Sequence, residues 1–71
     1  MGETKIILVP GLEQEGIERT LLEIERELTT LGIPAGNKEG DIITLKVALS
    51  KEARTRFLML PRVKDVLVRA D

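Results

Sequence analysis

The chain has 71 residues, 11 Lys and Arg against 12 Asp and Glu, and no His, Cys, Tyr or Trp. Such a composition excludes a disulfide framework, a zinc site held by His or Cys, imidazole acid–base chemistry and a cysteine nucleophile. The length fits one domain, residues 1–71, and no apolar run approaches the roughly 20 residues that span a bilayer.

The first apolar segment is Lys5-Ile6-Ile7-Leu8-Val9, whose unbroken run suits a central strand buried on at least one face. Pro10-Gly11 ends it. Glu13 and Glu15 then supply negative charge where a helix begins, as its dipole favours. In that helix Ile17, Leu21, Ile24, Leu28 and Leu31 recur at spacings of four, three, four and three, one apolar stripe that Leu22 is expected to widen. The opposite face is Glu and Arg, with Glu15–Arg19 and Glu23–Arg26 as expected surface pairs. Gly32 stands where a left-handed terminal residue is wanted, and Pro34 prevents continuation.

Residues 33–38, with Pro34 and Gly36, read as a loop or a weak edge strand. Lys38-Glu39-Gly40-Asp41 reads as the turn of a hairpin into a strand over Ile42 to Leu49, whose Ile43, Leu45, Val47 and Leu49 form a wholly apolar face. Ser50 is placed to cap a second helix, Lys51 to Leu60, which buries Ala53, Phe57 and Leu60 with Leu58 beside them. Pro61 breaks it. Arg62 to Ala70 returns as a strand with Val66 and Val68 on one face and Asp65, Leu67 and Arg69 on the other.

Together these elements give β-α-β-β-α-β, the ferredoxin-like split unit: an α+β sandwich with a four-stranded antiparallel sheet and two helices on one face. In that order the first and third strands are central, which agrees with their being the most apolar, while the second and fourth are edges. The uncovered face should then carry Ile7, Val9, Ile42, Thr44, Lys46, Leu67 and Arg69. Of these, Ile7, Val9, Ile42, Thr44 and Leu67 are the expected self-association surface, since a mixed apolar and charged face suits a partner. A domain this small has a modest core, so homo-oligomerisation would add burial.

Charge is uneven: residues 1–36 carry a net −4 and the remainder a net +3. The plainer reading is an acidic helix packed beside a basic one. Gln14 and Asn37 are the only side-chain amides among plentiful Glu, Lys and Arg, a bias that resembles thermophile usage. The start Met1-Gly2-Glu3-Thr4-Lys5 has no secretory pattern, so a cytoplasmic protein is expected, without membrane association.

No residue constellation for catalysis, metal binding or a cofactor emerges. Ser50 is accounted for as a cap, and the glutamates fall on a solvated helix face without the ligand order of a calcium loop. Pro10-Gly11-Leu12-Glu13-Gln14-Glu15-Gly16 is the candidate binding loop, because amides at a helix start can hold an anionic group. The same residues also make an ordinary strand-to-helix turn. An RNA platform would need aromatic side chains on the sheet, and the only aromatic residue, Phe57, sits at a helix core position. The bases Lys51, Arg54, Arg56, Arg62, Lys64 and Arg69 could still meet phosphates without sequence preference, which keeps a weak nucleic-acid binder as the alternative.

Lys5-Ile6-Ile7-Leu8-Val9-Pro10-Gly11, the acidic helix ending at Leu31-Gly32, and Leu60-Pro61-Arg62-Val63-Lys64-Asp65-Val66 together resemble small ACT-like and ferredoxin-like regulatory domains. These include the N-terminal domain of some DAHP synthases. The outline is also similar to heavy-metal-associated domains, but the loop that holds their cysteine pair has Glu13 to Gly16 here, so copper transport is not expected. The ACT-like resemblance implies a non-enzymatic regulatory or interaction domain. It places an effector such as an amino acid at the first strand-helix turn, on Gly11, Leu12 and Glu13. A third reading is an enzyme subunit completed by residues of another chain.

Overall fold

The structure, a computed structural model, describes residues 2–70. Met1 and Asp71, counted above in the single domain and its charge, lie outside the described residues. The elements are β1 (Glu3–Leu8), α1 (Gln14–Leu31), β2 (Asn37–Glu39), β3 (Ile42–Leu45), α2 (Lys51–Leu58) and β4 (Val63–Arg69). They build one antiparallel sheet in the order β2-β3-β1-β4, so the ferredoxin-like arrangement holds, with the two most apolar strands in the middle.

Strand alternation divides the sheet. Thr4, Ile6 and Leu8 of β1, Ile43 and Leu45 of β3 and Val66 of β4 are buried, and they meet Ile24 and Leu28 of α1 and Ala53 and Phe57 of α2 in one core. Intervening residues such as Lys5, Ile42 and Leu67 are exposed on the other face. Both helices therefore cover the same side.

Local chemistry sets the element ends. Gly32 adopts φ 71°, and the helix closes with Ile33 N–H donating to Leu28 O at 2.9 Å and Gly32 N–H to Thr29 O at 3.2 Å, the paired bonds of a Schellman ending. Ser50 Oγ accepts from Ala53 N–H at 3.2 Å, the expected cap of α2. That helix stops at Leu58 rather than Leu60, because Leu60 N–H bonds back three residues to Phe57 O before Pro61.

Four further expectations need correction. β3 ends at Leu45, not Leu49, because the fully buried Thr4 takes over the hydrogen bonding of the chain beyond it: its Oγ1 donates to Val47 O at 2.7 Å and accepts from Leu49 N–H at 3.1 Å. β1 starts earlier and stops at Leu8, since Glu3 pairs with Arg69 and the register shifts after Ile7. Leu22 does not widen the apolar stripe. It is 59% exposed, lying about 140° round the helix from the stripe's centre at 100° per residue, and the buried flank is taken by Thr20 instead. Finally, Glu23 ion-pairs with Arg62 rather than with Arg26 as expected; together with Glu27–Arg56 at 2.8 Å, this sets the acidic helix against basic residues from the second half of the chain.

Candidate functional site

Two features stand out: the uncovered sheet face and the β1–α1 turn. On the face, Ile7 sits between Ile42 on β3 and Asp65 on β4, and Lys5 between Thr44 and Leu67. Glu39 and Asn37 of β2 extend these two rows beyond Ile42 and Thr44, and Glu3 faces Arg69 on the other side. Ile42 is 37% and Leu67 49% exposed, while Ile7 and Thr44 are half-buried. Val9, also assigned to this surface from the sequence, lies just past the end of β1, where its N–H donates to Arg62 O at 2.9 Å. The result is three apolar side chains set among charges of both signs, with no helix over them.

At the β1–α1 turn, Gly11 takes φ 77° and is exposed, as a tight reversal into the helix requires. Leu12 packs against the core, so its side chain is spent on the fold. Glu13 is the N-cap residue, exposed and making no side-chain cap bond. Beside it a shallow hollow of about 220 Å³ is lined by Glu13, Glu15, Gly16, Arg19 and Arg62. Of the three residues nominated from the sequence, only Glu13 lines it.

Sequence reasoning missed what holds this turn in place. Leu60-Pro61-Arg62-Val63 has the pattern of a type II turn, with proline second and a left-handed third residue, yet that third residue is Arg62 at φ 71° rather than glycine. Its side chain reaches α1, where Nε donates to the buried Thr20 Oγ1 at 2.7 Å and the guanidinium pairs with Glu23. Thr20 Oγ1 donates in turn to Gly16 O at 2.7 Å. Through the Val9–Arg62 backbone bond the chain before Gly11, the first turn of α1 and the start of β4 become one hydrogen-bonded unit. A proline followed by arginine carries no sequence signal for this conformation. Thr4, by contrast, was legible in principle, since it shares the parity of Ile6 and Leu8.

Among the described residues no group of three or more potential metal-ligating side chains is assembled, and no helix is long and apolar enough to cross a membrane. Comparisons with family models, with characterised proteins and with solved structures find no match to this chain.

Proposed function

We propose that the chain is an interaction domain without catalytic chemistry of its own, which self-associates through its open sheet face. The supporting observation is the Ile7, Ile42 and Leu67 surface, uncovered in a molecule whose other sheet face carries the core under both helices. Glu3, Lys5, Asp65 and Arg69 surround it with both signs of charge, so a second copy related by a two-fold axis is an electrostatically acceptable partner.

In the same reading the β1–α1 turn is the effector site. The hollow beside Gly11, Leu12 and Glu13 offers carboxylates (Glu13, Glu15) and a guanidinium (Arg19) together. That pairing suits the ammonium and carboxylate of a free amino acid. Native mass spectrometry of the protein, alone and with a pool of amino acids, tests both parts. The expected spectrum contains a dimer or higher oligomer that retains one amino acid. A bare monomer at all concentrations would overturn the reading, and Arg19→Ala, which removes an exposed guanidinium lining the hollow, is expected to remove the adduct while leaving the fold intact.

The nucleic-acid alternative draws less support from the geometry. Arg54, Arg56, Arg62 and Arg69 each lie within 4.0 Å of a carboxylate. Fewer counterions would then be released on meeting a phosphate backbone.

A further inference from the structure

β4 is an edge of the sheet, and the middle of that edge is closed by side chains. Along β1, Leu8 N–H points to β3, bonding Asp41 O at 2.8 Å, and Val9 N–H points to β4, bonding Arg62 O at 2.9 Å. Residues of the parity of Ile7 and Lys5 therefore bond to their β4 partners, Asp65 and Leu67, while Val66 and Val68, opposite Ile6 and Thr4, turn their backbone groups to the free edge. Both groups of Val66 are taken. Its C=O accepts from Arg54 Nε of α2 at 2.9 Å, and its N–H donates to Asp65 Oδ1 at 2.8 Å. The two side chains also approach each other, Arg54 Nη2 to Asp65 Oδ1 at 3.7 Å. Arg54 comes from the helix side and Asp65 from the open face, so the clamp straddles the edge.

We propose that this clamp gates the β4 edge, and that the strand it holds off is β4 of a second copy. The partner follows from the register. With two antiparallel β4 strands and Leu67 on the two-fold axis, the exposed Leu67 side chains meet, Asp65 faces Arg69 of the other copy twice, and Val66 is set opposite Val68. Val66 and Val68 are the positions whose backbone groups point outward, so the bonding parity is correct, and a continuous eight-stranded sheet results. The clamp and the new strand compete for the same N–H and C=O of Val66. The N–H serves one acceptor at a time, and the guanidinium seated on the C=O stands where the incoming strand would lie. Side-chain exposures of 43% for Arg54 and 47% for Asp65 place the gate in solvent, where an ion pair holds weakly and opens readily. This edge device shares Leu67 with association through the open face but is otherwise built from different residues, Arg54, Val66 and Val68 rather than Ile7 and Ile42.

Arg54→Ala tests the gate, with sedimentation velocity and amide hydrogen exchange as readouts and a thermal melt to verify folding. The variant frees the Val66 C=O and leaves its N–H on Asp65, and this one freed edge group is expected to strengthen self-association by about tenfold. The Val68 amide, directed at the free edge, is expected to exchange more slowly in the variant as it becomes paired. Adding Val68→Pro should cancel the gain, since that N–H makes no bond to β1 and proline is tolerated on an edge. Adding Ile42→Glu should leave the gain in place. Wild-type association in both Arg54→Ala and Arg54→Gln would overturn the gate. So would a gain that Ile42→Glu removes and Val68→Pro does not, which would instead assign the association to the face; Ile42→Glu in the otherwise wild-type chain reads the face on its own.

Discussion

At the residue scale, two side chains do work that their types do not announce. Arg62 holds a left-handed backbone conformation that costs a non-glycine residue about 1 kcal/mol or more, and its side chain recovers that through Thr20 and Glu23. This separates two substitutions. Arg62→Gly loses the side-chain bonds but relieves the backbone, whereas Arg62→Ala loses the bonds and keeps the strain. Chemical denaturation should find both less stable than the parent, with the alanine variant lower by about 1 kcal/mol; equal stabilities would mean the turn is not strained. Thr4 gives a second case. Replacing it with valine keeps the shape but strands Val47 O and Leu49 N–H at a buried position, for an expected loss of about 1–3 kcal/mol. A Thr4→Ser variant, which retains the hydroxyl, should lose less. Neither role could be read from the chain by pattern alone: the parity of Thr4 marks it as buried, but its partners lie 43 and 45 residues away.

At the element scale, the sequence was legible wherever one short-range rule decided the outcome. Ser50 before a helix, Gly32 after one, and the alternation of Val66 and Val68 with Asp65 and Leu67 all appear in the structure as expected. Boundaries moved where tertiary contacts intervened. β3 is cut short by Thr4 from another strand, and Leu22, apolar in type, is on the solvent side because helical phase outranks composition. β2 depends on a close approach that its composition only hints at. A Cβ on Gly36 would sit 2.0 Å from Thr44 O, so only glycine lets the chain settle beside β3 ahead of the Asn37–Thr44 pair. Gly36→Ala is therefore expected to displace β2, seen as faster amide exchange at Ile42 and Thr44, while β1–β4 pairing is retained. Uniform destabilisation across the sheet would contradict this local account. The candidate turn was legible only in part: Gly11 and Glu13 sit where the chain reverses and the helix begins, but Arg62, about fifty residues away in sequence, could not be placed beside them without the fold.

For the whole molecule, the uneven charge along the chain resolves into contacts between its halves, Glu23 with Arg62 and Glu27 with Arg56, so the asymmetry is chiefly an internal pairing rather than an exposed basic surface. The uncovered surface is the sheet. Four strands about 4.8 Å apart and, at about 3.3 Å per residue, from about 10 Å (β2) to about 23 Å (β4) long present roughly 300 Å², well under half of the 800 Å² or so that each partner of a standard stable complex contributes. The face alone therefore predicts weak, reversible association, strengthened by whatever else comes into contact at its rim. A charge at Ile42, already 37% exposed, should disturb that contact without cost to the core. Sedimentation velocity over a wide concentration range, for the parent chain and Ile42→Glu, is the most direct measurement. The sheet-face account predicts a sedimentation coefficient that rises with concentration in the parent and stays at the monomer value in the variant. A parent that remains monomeric throughout, or a folded variant that associates equally well, would contradict it.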